Sequence, residues 1–205
     1  MPEPTSEPSY WGSRYREGTD RWDLGQPSPA FVALLNSTVA PRQGKIIVPG
    51  CGRGHDAMLF AHRGYSVLGF DFAPEAIAEA TLIALRKNIQ VTFVQQDLFA
   101  LPLSYVESWD YVIEHTCFCA IDPARREEYV QIVHRLLKPG GELIAVFFAH
   151  PRSGGPPFRT DSEEIFRLFE PYFEIRQLAP IPISVKERKG EELFGRLIKR
   201  EILAS

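Results

Sequence analysis

Long apolar runs are absent from this 205-residue chain. The densest stretch, Leu143 to Ala149, is strand-sized, far short of the roughly 20 residues that span a bilayer, so no membrane partner is expected. A basic excess is missing too: 23 Lys and Arg stand against 26 Asp and Glu, a net charge of −3. Proteins that neutralise phosphates usually carry the opposite balance, which argues against nucleic acid. Basic side chains gather only near the end, at Lys186, Arg188, Lys189, Arg196, Lys199 and Arg200, and read as a solvated face on a terminal strand. Cysteine is scarce, with Cys51, Cys117 and Cys119 alone. An odd count without framework spacing fits a reducing compartment. Cys117-Phe118-Cys119 is too closely spaced for a zinc knuckle, and no Asp/His cluster suggests a metal. The first ten residues show no basic region followed by an apolar one, so no secretory signal is expected and the cytoplasm is the expected location. What the chain does hold is 44% hydrophobic residues, with 14 Phe, 7 Tyr and 3 Trp. That is enough to bury one large core without disulfides and too apolar for wholesale disorder.

Residues 1–9 read as a flexible leader and 10–205 as a single domain, expected to act as a monomer. Ser28 can cap a helix opened by Pro29, with Phe31, Leu34 and Leu35 on one stripe. From residue 45 strands and helices alternate. Strands are expected at Lys45–Pro49, Tyr65–Asp71, Val91–Val94, Trp109–Glu114, Glu142–Ala149, Phe173–Leu178 and Leu193–Lys199. Helices are expected over His55–Arg63, from Pro74, from Pro123 to the Lys138-Pro139-Gly140-Gly141 stop, and after Asp161, with Glu164 completing a capping box. The alternation predicts an α/β fold, doubly wound around a mostly parallel seven-stranded sheet with helices on both faces. Such sheets bind ligands at the carboxyl ends of their strands.

Two strand ends carry chemistry. The first strand runs into Gly50-Cys51-Gly52-Arg53-Gly54-His55-Asp56, where glycines allow a tight turn and close approach of backbone to a ligand. The second ends in Asp71, 17 residues past Gly54, placed to take both hydroxyls of a ribose. Together they point to a nucleoside cofactor. A dinucleotide fingerprint places its third glycine five residues after the first; that position is His55 here.

The G-x-G-x-G form resembles the S-adenosylmethionine loop of class I methyltransferases, a Rossmann-like fold. The resemblance extends further. Trp22-Asp23-Leu24-Gly25-Gln26-Pro27-Ser28-Pro29 and Val48 to Asp56 are similar to the thiopurine S-methyltransferase superfamily, nearest its "harmless to ozone layer" halide/thiol methyltransferase branch. Phe118-Cys119-Ala120-Ile121, Gly154-Gly155-Pro156-Pro157-Phe158 and Arg188-Lys189-Gly190 fit as well, so the likeness runs from about Tyr10 to the last strand. It implies S-adenosylmethionine as cofactor and residues 10–44 as a lid and helix. Trp11, Tyr15 and Trp22 would cover the cofactor. The loop Gly50, Gly52 and Gly54 would cradle it, with Gly50 at the methionine part, Asp71 and Phe72 on the ribose side, and Asp97 with Leu98 at the adenine. His115, where relatives carry Arg or Tyr, would stand near the amino-acid end.

Methyl transfer from a sulfonium is an in-line displacement that needs alignment and exclusion of water. A thiol, with a pKa of about 8.5, is already partly ionised at neutral pH. No base with an orienting partner is legible, and no obligatory catalytic residue is expected. The expected substrate wall is Phe31, Phe118, Pro156, Pro157 and Phe158, with Arg152 and Arg159 flanking it. Phe158 replaces the tyrosine of the plant enzymes, which favours a thiol or hydrosulfide over a halide or a thiopurine as small-molecule acceptor. The rival readings are an NAD(P)-dependent oxidoreductase, which the glycine spacing opposes, and a non-catalytic cofactor binder.

Overall fold

Seven short segments become the strands of one sheet in the computed structural model, which describes residues 4–201. They are β1 (Lys45–Pro49), β2 (Ser66–Asp71), β3 (Thr92–Gln95), β4 (Trp109–His115), β5 (Leu137–Phe148), β6 (Phe173–Pro180) and β7 (Glu192–Lys199). The helices are α1 (Pro8–Glu17), α2 (Pro29–Leu35), α3 (His55–His62), α4 (Pro74–Lys87), α5 (Arg126–Leu136) and α6 (Ser162–Phe169). The strand order is β3-β2-β1-β4-β5-β7-β6. The first five strands are parallel and β7 runs antiparallel between β5 and β6. Winding goes outward from β1 to β3, then resumes on the other side at β4. The crevice where that direction reverses, beyond β1 and β4, is where sheets of this kind hold ligands. This is the Rossmann-like doubly wound arrangement that the alternation predicts. Of the leader, residues 1–3 lie outside the described residues, as do 202–205; Pro4–Ser6 form a single turn before α1.

Alternation along β5 divides the core. Leu143, Ala145 and Phe147 join Tyr129, Val133 and Leu136 of α5 and Ile165 and Phe169 of α6 on one face. Ile144 and Val146 join Phe31 and Leu34 of α2 and Phe60 of α3 on the other. A strand covered on both faces has no polar side to show, which is why it reads as unbroken apolar sequence. Among the described residues no helix is long and apolar enough to cross a membrane.

Four local expectations need correction. Ser28 stands at the N-cap of α2, but its side chain makes no capping hydrogen bond. The stop at Lys138–Gly141 is a bulge inside β5: Trp109 pairs with Leu137, then Tyr111 with Glu142. Asp161 does cap α6 by accepting from the Glu164 N–H at 2.8 Å, but the Glu164 carboxylate does not close the box. Both its oxygens lie 2.8 Å from the guanidinium of Arg126, which is only 1% exposed, and a buried cation outbids a cap. The basic residues near the end are not one solvated face either. Arg188 and Lys199 are buried, and the Lys199 ammonium bonds the Leu137 carbonyl at 2.7 Å.

Candidate functional site

Past β1 the chain turns through Gly50, Gly52 and Gly54, with φ of 56°, 53° and 74°, the left-handed region that glycine enters without strain. A Cβ on Gly50 would stand 2.8 Å from Cys117 Sγ, so bare backbone forms the floor there. A Cβ on Gly54 would fall 2.3 Å from the Phe93 ring; this glycine lets α3 pack on the sheet. Asp71, ending β2, holds the loop with both oxygens, accepting from Gly52 N–H and Ala73 N–H at 2.9 Å each. Burial pushes its carboxyl above the ordinary value, against the pull of those N–H groups. Asp97 accepts from Phe99 N–H at 2.8 Å and so shapes the turn that presents Leu98.

These groups open on a cavity of about 910 Å³. Gly50, Asp71, Phe72, Asp97, Leu98 and His115 line it. Trp11, Tyr15 and Trp22 close it from the amino-terminal side. Gly52 instead faces a small adjoining pocket, and Gly54 is packed away. Two carboxylates and apolar side chains around a cradle that a Cβ would fill suit a nucleoside cofactor.

The amino-terminal aromatic cluster is edge-to-face throughout. Trp11 and Trp22 lie 5.5 Å apart between centroids, Tyr15 and Trp22 5.6 Å, and the group packs on Ala73 and Ala76. Charges fasten it. Arg53, from the glycine loop, pairs with Asp20 and, at 2.6 Å, with Asp23 in the lid, and also with Glu79 of α4. Arg16 pairs with Glu75. The Arg188 guanidinium donates to the Trp22 carbonyl at 2.6 Å.

The expected substrate wall is redrawn. Phe31, fully buried, packs on Phe60. Phe118 is 1% exposed and sits among Tyr129, Phe147 and Phe169. Both are core, and neither reaches the cavity. Phe158 is half-buried with its N–H on the Cys119 carbonyl, and Arg159 is exposed. Arg126 draws this segment inward through the Phe158 and Arg159 carbonyls, so the Phe158 ring stands outside the cavity. Pro157 does line it, as do Pro156, Ile121, Phe148 and Arg152.

One cluster escaped the sequence reading. His115 Nδ1 lies 2.7 Å from Asp56 Oδ2, and the other Asp56 oxygen accepts from Ser28 N–H at 2.7 Å. His115 Nε2 meets Arg188 Nη1 at 3.1 Å, with Glu192 Oε1 at 3.9 Å. Burial disfavours charge on this imidazole, but Asp56 and Glu192 outweigh it and push its pKa up to about 9. Arg188 can only donate, so its contact belongs to the neutral ring with the proton on Nδ1; once protonated, Nε2 turns to Glu192. The signals were present in the quoted stretches: Asp56 closes the glycine loop and Arg188 opens Arg188-Lys189-Gly190. Nothing in the sequence brings together residues 56, 115 and 188.

The profile of the thiopurine S-methyltransferase family matches residues 6–195. A probable thiol methyltransferase 2 from Arabidopsis thaliana is 34% identical over 190 residues, covering 91% of this chain and 83% of the relative. Thiocyanate methyltransferase 1 from Brassica oleracea is 33% identical, over 96% of this chain and 87% of its own. Among solved structures, the 1,6-didemethyltoxoflavin-N1-methyltransferase of Burkholderia thailandensis, with bound S-adenosylhomocysteine, superposes with a TM-score of 0.74 at 23% identity, over 95% of this chain and 87% of that one.

Proposed function

The chain belongs to the thiopurine S-methyltransferase family and is an S-adenosylmethionine-dependent methyltransferase, and on that premise we propose that its acceptor is a small soft nucleophile, a thiol or hydrosulfide before a halide or thiopurine. The observation that carries this reading is the wall of apolar Ile121, Phe148, Pro156 and Pro157 next to the guanidinium of Arg188. Apolar surface strips water from a polarizable anion, and a cation attracts it. The ranking of thiol over halide draws on the thiol and thiocyanate methyltransferase relatives. It no longer draws on Phe158, whose ring lies outside the cavity.

S-adenosylmethionine supplies a methyl group already activated on a sulfonium. The chain's part is to bind and align. Asp71 and Phe72 serve the ribose side, Asp97 and Leu98 the adenine, and bare Gly50 the methionine part, while Trp11, Tyr15 and Trp22 keep water out. Residues 10–44 form the lid and its supporting helix within a single 10–205 domain. Three free thiols agree with a reducing cytoplasm, and the enzyme works as a monomer on a small molecule. The test is S-adenosylhomocysteine release with hydrosulfide, a small thiol, an aromatic thiol, iodide and a thiopurine. Hydrosulfide or the small thiol should give the highest kcat/KM. Good turnover of iodide with no thiol turned over would reject the reading.

A further inference from the structure

Two nitrogens of one ring have unlike neighbours. His115 ends β4 in the cavity wall with Gly50 and Cys117, and its side chain is only 12% exposed. Nδ1 is committed to Asp56, which is itself fixed by the Ser28 N–H. That leaves Nε2 as the working nitrogen, capped by Arg188. Arg188 has a second acceptor, Glu192 Oε1 at 3.5 Å, and a firm hold on the Trp22 carbonyl. It can release Nε2 without losing its pairing.

We propose that His115 is a catalytic residue that, as the imidazolium, holds a thiol acceptor as its thiolate at Nε2–H, that Asp56 is its positioning residue, and that Arg188 steadies the same thiolate. This rests on the thiol reading above. An imidazole held in one tautomer by a carboxylate, with its free nitrogen turned to the substrate, is the arrangement that activates weak nucleophiles. The charges around the ring suit a thiolate beside an imidazolium, with Arg188 alone opposing the ring's own charge. Asp56 from α3 and Glu192 from β7 stabilise the imidazolium, Arg188 from the turn before β7 stabilises the thiolate, α2 offers only the Phe31 ring, and Glu114 of β4 adds a carboxyl nearby. With a proton affinity near 9 the ring is already charged at neutral pH, and the imidazolium with Arg188 draws the pKa of a bound thiol below its ordinary value of about 8.5. The acceptor's S–H bond breaks and its proton passes to water. The freed electron pair on sulfur makes the S–CH3 bond as the methyl leaves the sulfonium. The old C–S pair remains on the neutral S-adenosylhomocysteine, and the ring keeps its Nε2 proton throughout.

The distinguishing measurement is kcat against pH with 2-mercaptoethanol. In the parent enzyme kcat stays level from about pH 6 to 8, because the bound acceptor is ionised whatever the bulk pH. In His115→Asn and Asp56→Asn it drops about tenfold per unit below the acceptor's own pKa. Iodide carries no proton, so its kcat stays level with pH in all three proteins. A second readout needs no turnover: in the complex with S-adenosylhomocysteine, the ultraviolet absorbance of bound 2-mercaptoethanol at pH 7 is that of thiolate in the parent and of thiol in the variants. A parent kcat that already tracks the acceptor's pKa, or a bound acceptor that remains a thiol, overturns the proposal. If iodide is methylated and no thiol is, the acceptor reading falls, and the absorbance of the bound thiol still decides what His115 does.

Discussion

Asp71 serves the loop and faces the cavity at once, so its removal should cost more than one ligand contact. Asp71→Ala strips the acceptor from the Gly52 and Ala73 N–H groups as well as from the ribose proposed to meet it. Calorimetry should show S-adenosylhomocysteine binding weakened by at least the roughly 1.5–3 kcal/mol of a charge-assisted hydrogen bond; affinity equal to the parent's would remove Asp71 from the cofactor site. Glu114 poses a different problem. One of its oxygens accepts from Phe118 N–H at 2.8 Å, while the other is buried without a hydrogen-bond partner among the described residues. Burial pushes its carboxyl from 4.5 up to about 7. A folded-state value above the unfolded one means the native protein holds this proton more tightly. The resulting stability is present below about pH 4.5 and is lost as pH rises through 7. Glu114→Gln keeps the acceptor for Phe118 and has no charge to bury. It should therefore raise stability above pH 7 by an amount on the order of 3 kcal/mol, and hardly change it at pH 4. Parallel denaturation curves for the two proteins at both pH values would contradict the assignment.

At the level of elements, the lid is the piece most sharply tested by deletion. Removing residues 1–23 takes away α1 and the aromatic cover but no strand of the sheet, so circular dichroism should still report the α/β fold while turnover disappears. Arg53→Ala, which unpairs Asp20 and Glu79 and leaves Asp23 with His55, should raise KM for the cofactor several-fold with the amino-terminal segment still present. Normal turnover by the shortened chain would mean that the aromatics serve packing alone. The elements themselves were legible because strands buried on both faces must be apolar and helices must show a 3.6-residue stripe. Leu143–Phe147 reads as a strand by its shortness and the glycines before it, and Tyr129, Ile132, Val133 and Leu136 carry the α5 stripe. What stayed hidden was pairing between distant side chains. Periodicity shows that α6 is amphipathic, but not that its Glu164 answers a buried Arg126. A basic cluster looks solvated until Arg188 is found between Trp22, His115 and Glu192. The same limit hid the pairing of His115 with Asp56, and misplaced Phe31 and Phe118, whose aromatic character suits a core as well as a pocket.

For the molecule as a whole, the acceptor's chemistry and the enzyme's charge should appear in its kinetics. If thiolate is the reacting species, kcat/KM should climb with pH toward the pKa of each thiol tested, and thiols of lower pKa should shift the rise to lower pH. A rise common to all thiols would contradict this. The charged fastening of the lid also has a consequence for timing. A lid that closes over both partners must open before S-adenosylhomocysteine can leave, and such openings often limit turnover. Salt weakens the exposed part of that fastening, Arg16 with Glu75 and Glu79 with Arg53, more than the buried part. Rapid mixing should therefore reveal a first turnover faster than those that follow, a burst close to one product per enzyme. Added sodium chloride should shorten the wait between later turnovers and leave the burst rate unchanged. The protein would then be paced by its door, and its ionic surroundings would set the pace.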